Sequence, residues 1–368
     1  MQRRPVLTLA AAAAAALILS GPLSGPAAAE IDFSGKRIQW IIPFKEGGGS
    51  DTWARFYAPL LAANLPGAPT IVVKNVAGGG STIGANQFAA RAKPDGLTVL
   101  GTSGSTQFPY LLNDPRVDYE YKDWHLVMAT PTGGVFYAAP ALGIESAADL
   151  GKLAGRDDLK FGSQGATSLD LIPLLALEML EIRPKAIFGM KGSGGRRLAF
   201  ERGETNIDHQ TSAAFIKKVK PLADAGKAVA LMSWGAVNDQ GEVVRDPSFP
   251  GLPSFKEVYT RIKGEEPAGP AWEAWKSFMI AGYAAQKMIF LPKDTPDEIL
   301  AAWREAARKT VSAPDFAAAS ARVLGDYEQK AGEAAQPLFD IALNVDPKAK
   351  RWVIDWLNAT YDTGLKQD

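Results

Sequence analysis

The sequence contains no cysteine. That excludes disulfides, thiolate metal ligands, a thiol nucleophile and the lipidated cysteine of a bacterial lipoprotein. Histidine is nearly absent: His125 and His209 are the only two in 368 residues. Neither stands in a metal-ligand spacing, and each reads as a structural residue more readily than as a ligand or a catalytic base. Neither sign of charge dominates, with 40 Lys and Arg against 40 Asp and Glu, so no basic patch marks a nucleic-acid binder. Beyond residue 30 no uninterrupted apolar run is long enough to span a bilayer. No glycine loop leads into Lys-Ser or Lys-Thr, which removes a P-loop. "GTSGS" carries Ser105 where a nucleophile elbow needs its last glycine. "GGGSDT" and "GGGSTI" lack the third glycine of a dinucleotide fingerprint. No pair of carboxylates is singled out for acid–base work. Neither a catalytic residue nor a metal or cofactor is therefore expected.

Apolar residues are plentiful, at 46%, enough for a large core and two domains. The first thirty residues form a separate segment. Arg3 and Arg4 precede an apolar run from Val6 to Leu19, followed by Gly-Pro breakers and the small-residue site Ala27-Ala28-Ala29. That is the plan of a secretory signal peptide cut after Ala29, and the run is shorter than the roughly 20 residues of a spanning helix. The Arg3-Arg4 pair leaves a twin-arginine route open beside the ordinary one. The mature chain would carry 38 basic against 40 acidic residues and work outside the cytoplasm.

One local unit recurs: a short apolar strand, a glycine-rich turn and a helix. "KRIQWIIPFKEGGGSDTWARFYAPLL" opens with Ile38, Trp40, Ile41 and Ile42 as a strand; its helix has Ser50 or Asp51 as N-cap. "TIVVKNVAGGGSTIGANQFAARA" repeats it, as do "GLTVLGTSGSTQFPYLL", "DLKFGSQGATSLDLIPLLALEML" and "AIFGMKGSGGRRLAFERGE". Strand and helix alternating over short loops predict an α/β fold with mostly parallel sheets flanked by helices. Further on, Thr295, Pro296 and Glu298 stand in capping-box order, and Asp346-Pro347 opens a last helix. The Gly-, Pro- and charge-rich stretch from Asn238 to Pro270 reads as a long surface connection between domains.

A helix start leaves N–H groups unpaired and carries partial positive charge, and glycines before it let an anion reach the backbone. A single such loop is more often a plain turn. Three of them at strand C-terminal ends, at Gly47–Asp51, Gly78–Thr82 and Ser163–Ser168, point to an anion cradle, because ligands of parallel sheets bind there. Hydroxyls of Ser50, Ser81, Thr82, Thr167 and Ser168 add donors, as does the amide of Gln164. The loops hold no arginine, which favours backbone dipoles and a small carboxylate over a polyphosphate; Lys45 is one available cation, offset by Glu46.

The sequence resembles the extracytoplasmic substrate-binding proteins of tripartite tricarboxylate transporters, the Bug-type receptors. The residues that carry the likeness are Pro43, Phe44, Gly47, Gly48, Gly49, Asp51, Asn75, Gly78, Gly79, Gly84, Asp95 and Gly96, spread over about 65 residues. The later "FGSQGATS" and "DTPDEILAAWREA" resemble the family more loosely. The resemblance implies a two-domain periplasmic binding protein of type II-like fold, with the ligand cleft between the domains. The expected division is 1–29 signal peptide, 30–131 with 245–368 as domain 1, and 132–244 as domain 2. It implies a small organic carboxylate as ligand, the large and small membrane subunits of the transporter as partners, a monomer, and the periplasm as location. Phe44, Gly48, Gly49, Ser50 and Asp51 would contact the ligand from the first loop, and Gly79, Gly80, Ser81 and Thr82 from the second. Ser103 would add a contact from the Ser/Thr/Gly loop after the third strand. Ser163, Gln164, Thr167 and Ser168 match the second domain's loop, and Asp208 in "GETNIDHQ" falls at a turn that faces the cleft in the family. Lys45-Glu46, Val76-Ala77, a lengthened link before Pro253 and a long C-terminal tail depart from the pattern. A sensory module handing its signal to a receptor, or a secreted α/β enzyme such as a hydrolase, are the competing functions.

Overall fold

A computed structural model of the chain describes residues 31–238 and 241–367; the expected signal peptide and its cleavage site lie outside them. Asp32–Asp368 form one compact unit. Its strands are β1 (Arg37–Ile42), β2 (Thr70–Asn75), β3 (Thr98–Gly101), β4 (His125–Thr130), β5 (Gly134–Ala138), β6 (Lys160–Gly162), β7 (Lys185–Ile187), β8 (Ile207–Thr211), β9 (Val229–Ser233), β10 (Ala236–Val237), β11 (Val243–Val244), β12 (Lys287–Leu291) and β13 (Lys330–Ala331). Five helices follow the repeated strand units: α1 (Gly49–Asn64), α2 (Thr82–Arg91), α3 (Gly104–Leu111), α4 (Leu171–Met179) and α5 (Ser193–Glu201).

The first sheet runs β13-β4-β12-β3-β1-β2 and the second β7-β6-β8-β5-β9. Each has a parallel trio, β2-β1-β3 in the first and β7-β6-β8 in the second. The remaining strands pair antiparallel: β12 with β3 and β4, β13 with β4, and β5 with β8 and β9. The sheets are thus mixed rather than mostly parallel. The added strands other than β13 lie where the chain passes from one sheet to the other, at β4 to β5 and from β9 round to β12. Buried apolar strands read alike in either direction, so the pattern of residues could not distinguish them.

Three local expectations change. α1 begins at Gly49 with Gly48 as N-cap; Ser50 and Asp51 lie inside its first turn, and Asp51 accepts the Gly47 N–H at 2.9 Å. The helix Asp297–Val311 has no side-chain cap, because the Thr295 hydroxyl donates back to the Pro292 carbonyl at 2.7 Å. The stretch 238–270 is not a bare connection. It holds β11, which pairs antiparallel with β10 just before the stretch, and a helix, Phe255–Lys263, opened by a capping box in which Ser254 N–H donates to Glu257 Oε2 at 2.8 Å. Asp346 caps the last helix, Pro347–Tyr361, by accepting from the Lys348 and Ala349 N–H groups.

α4 buries every residue from Leu171 to Leu177, as an all-apolar helix must. It shares one core with the helices Gly269–Ala284 and Pro347–Tyr361 through Trp275, Phe278, Val353 and Ile354. A second, aromatic core lies against β12, where Met288 and Phe290 meet Tyr121, Trp124 and Phe339. Because side chains alternate across a strand, Lys287 and Ile289 point to the other face.

Candidate functional site

The first glycine loop leaves the C-terminal end of β1 and meets the turn between β7 and α5. Lys45 N–H donates to the Lys191 carbonyl at 2.9 Å and Gly49 N–H to Ser193 Oγ at 3.3 Å. This approach is why Gly48 and Gly49 are glycine: a Cβ on Gly48 would stand 2.7 Å from Ser193 Oγ, and one on Gly49 2.1 Å from Thr211 Oγ1, whereas Gly47 is set by its φ of 76°. The second loop is glycine for a different reason. Gly78, Gly79 and Gly80 have φ of 142°, 59° and 71°, the region that side chains disfavour. Ser81 follows at φ 108° and is held there by its hydroxyl, which donates to the Ser105 carbonyl at 2.9 Å.

Between the first loop and the second sheet lies a cavity of about 20 Å³. It has room for about one water, so any organic acid entering it must part the loops. Five hydroxyl residues stand in its walls: Ser50, Ser103, Ser105, Ser193 and Thr211. Ser50 sits in the first turn of α1, Ser103 caps α3, and Ser193 begins α5, so three helix N-termini converge on one point. Their unpaired N–H groups and aligned dipoles make it positive. Thr211 Oγ1 and Gln164 Oε1, both on buried cavity residues, have no hydrogen-bond partner among the described residues.

Two cations complete the walls, Arg196 and Lys287. Arg196 is neutralised: it donates to Asp170 Oδ1 through Nη1 and to the His209 carbonyl at 2.8 Å, and its Nε lies 3.6 Å from Asp208 Oδ1. Burial alone would raise Asp170, but the guanidinium, the His209 contact at 2.9 Å and the Gln164 N–H at 2.7 Å hold it down at about 2. Burial, reinforced by Arg196, lowers His209, so the imidazole is neutral near pH 7. Lys287 is only 3% exposed and donates to the Gln286 side-chain carbonyl; burial pushes its ammonium down to about 7, with no carboxylate among the described residues to oppose it.

A larger cavity, about 480 Å³, opens on the far side of Gln164. Gly78–Gly80, Arg116, Thr167, Phe188 and the tail residues Tyr361, Thr363 and Leu365 are among its walls. Arg116 spans it, donating to Asp114 Oδ1 at 2.8 Å and to Thr167 Oγ1 at 3.0 Å.

Of the expected contact residues, Phe44, Ser50, Ser103 and Gln164 line the small cavity, and Gly79, Gly80, Gln164 and Thr167 the large one. Gly48 and Gly49 form the wall behind Ser193 and Thr211. The others have partners elsewhere. Asp51 holds Gly47 and, at 2.9 Å, Arg55 Nε. Thr82 Oγ1 donates to the Gly79 carbonyl, Ser163 Oγ to Asp170 Oδ2, and Ser168 Oγ to the Gly165 carbonyl. Asp208 lines neither cavity: it is fully buried and accepts from Tyr137 OH at 2.5 Å and Gln210 Nε2 at 3.0 Å. Lys45 and Glu46 are exposed and stay outside. The cation of the site comes instead from a strand. Ser105, Ser193, Arg196, Thr211, Gln286 and Lys287 were not anticipated. "KGSGGRR" carried a signal for Ser193 and Arg196, being the fifth strand–glycine–helix unit; Gln286-Lys287 carried none, since a lysine at a strand start reads as solvent-facing.

Two mixed α/β sheets meeting at their loop-bearing ends define the class: this is the fold of periplasmic binding proteins. BugD has it, with a TM-score of 0.63 at 20% identity over 90% of this chain and 99% of its own. So does R. palustris Rpa4515, solved with adipate, with a TM-score of 0.67 at 20% identity over 91% and 99%. No family model matches the chain. BugT of Bordetella pertussis is 27% identical over 250 residues, 66% of this chain and 71% of its own. A UPF0065 protein from the gbd 5' region of Cupriavidus necator is 25% identical over 325 residues, 86% of this chain and 87% of its own. Over most of its length the chain is a distant homologue of BugT and of UPF0065 proteins, and its fold is that of the periplasmic binding protein BugD.

Proposed function

We propose that the protein captures a small organic carboxylate in the periplasm and delivers it to the membrane subunits of a tripartite tricarboxylate-type transporter. The observation that carries this reading is the small cavity itself: three helix N-termini, five hydroxyls and one unneutralised lysine meet on one point between two sheets. That set of donors suits a carboxylate. The adipate of Rpa4515 is consistent with it. The loops would part for the ligand and close on it, and binding favours closure only as far as the ligand touches both sides. The division into 30–131 with 245–368 and 132–244, a monomeric state and cleavage after Ala29 belong to the same reading.

Its test is mass spectrometry of whatever copurifies with the exported protein, then calorimetry with malate, succinate, adipate and benzoate. Stoichiometric binding of a carboxylate without turnover is expected. A protein that copurifies with no carboxylate and binds none of the four would refute the reading.

A further inference from the structure

We propose that Lys287 is the direct counter-ion of the ligand's carboxylate, so that an ammonium at the cavity wall selects for charge where the glycine loops supply only backbone dipoles. This rests on the carboxylate reading above and names the residue that enforces it. The argument begins with strand direction. β12 runs antiparallel to β3, so its first residue lies at the edge where the parallel strands end and their loops begin. Thr102 N–H donates to the Met288 carbonyl at 2.9 Å, which sets Lys287 beside Ser103, the N-cap of α3. Thr130 Oγ1 donates to the Lys287 carbonyl at 3.0 Å and fixes the strand from its other side.

No charged partner among the described residues repays the burial of this cation. Among the described residues its ammonium has one partner, the neutral Gln286 amide, and no carboxylate acts on it. The other groups at the cavity are the hydroxyls, Gln164 and Arg196, and Arg196 is shared between Asp170 and Asp208. Behind Arg196 stand His209, held neutral, and Tyr137, bonded to Asp208. An apolar side chain would satisfy the same strand position at lower cost, because a buried ammonium without a counter-charge is unfavourable. A ligand carboxylate entering between Ser50, Ser103 and Thr211 would supply that counter-charge. Thr211 Oγ1, an orphaned donor on the same wall, would serve its second oxygen.

The experiment is calorimetry of the full mature chain and of Lys287→Met, with malate, succinate, adipate and benzoate, and with the diamide of adipate as the uncharged control. The wild type should bind a carboxylate, and the variant should bind it about 30-fold or more weakly. Affinity of the wild type should fall about 30-fold from pH 6 to pH 8.5 as Lys287 loses its proton, while that of the variant stays level. Repeating the wild-type titration at pH 8 in buffers of different ionisation enthalpy should show uptake of a proton, a readout that needs no variant. Binding by the wild type with no proton uptake, or equal affinity and equal pH dependence in Lys287→Met, overturns this inference and leaves the carboxylate reading intact. Binding of the diamide as tightly as adipate overturns it as well. A wild type that binds none of the acids overturns both.

Discussion

Gly194 and Gly195 are neighbours in the first turn of α5, and a methyl group on each should act in opposite directions. A Cβ on Gly194 would stand 2.7 Å from the Glu46 carbonyl oxygen, 3.0 Å from Gly48 N and 3.3 Å from Gly47 C. All three are backbone atoms, so no side chain can rotate out of the way. A Cβ on Gly195 meets nothing within 4 Å. Neither glycine has a positive φ, so alanine at either position brings the same helix-propensity gain of up to about 1 kcal/mol. The difference between the variants therefore isolates the contact between the first loop and α5. To relieve the Gly194→Ala clash the loop must withdraw by a few tenths of an ångström. That strains the Lys45–Lys191 and Gly49–Ser193 hydrogen bonds, each worth about 1 kcal/mol, and partly unpairs their donors. The expected gap between the variants is about 2 to 3 kcal/mol in favour of Gly195→Ala, read by urea unfolding. If ligand binds only when the loops meet, affinity for a carboxylate should differ by roughly 30- to 150-fold. Unfolding midpoints and affinities that coincide for the two variants would refute the idea that this close approach holds the site.

Three further outcomes are expected. Asp170→Asn removes the nearer of the two buried carboxylates that face Arg196 and should destabilise by about 3 to 5 kcal/mol at pH 7. Because the folded-state carboxyl titrates at about 2 against an ordinary 3.8, wild-type stability from this group is full above about pH 4 and lost as pH falls toward 2; the variant should lack that acid limb, on the order of 2 kcal/mol in urea titrations. Lys287→Met should stabilise the ligand-free protein: the lysine's penalty is full below its folded value of about 7 and relieved toward its ordinary 10.5, so the wild type should regain several kcal/mol relative to the variant between pH 7 and 10 in thermal melts. Asn358→Ala should free the tail that borders the larger cavity, because this side chain accepts from Leu365 N–H at 2.9 Å and donates to the Leu365 carbonyl at 2.9 Å; about 2 kcal/mol of local protection should vanish from residues 363–365 in hydrogen exchange.

What could be read from the sequence was what local chemistry determines. Ile38 to Ile42 and Val99 to Gly101 are strands because apolar runs there end at turn residues, and the glycine-to-helix switches mark α1, α2 and α5 for the same reason. Asp346-Pro347 was legible as a helix start because a cap needs only its own neighbours. The two glycine triplets looked alike, yet one is imposed by φ throughout and the other, past Gly47, by a second segment 144 residues away, Ser193 against Gly49. No local pattern separates those causes. Asp208 misled for a related reason: its spacing matched a cleft-facing turn, but Tyr137 and Arg196 arrive from other elements and bury it. Lys287 was the hardest residue to foresee. A lysine opening a strand is ordinarily a solvent-facing end, and only the antiparallel return of β12 carries it to the edge where β1 and β3 deliver their loops. The direction of that strand was the feature the sequence pattern could not express. The charge of the site depends on it, because the same residue in a parallel strand would sit at the opposite end of the sheet.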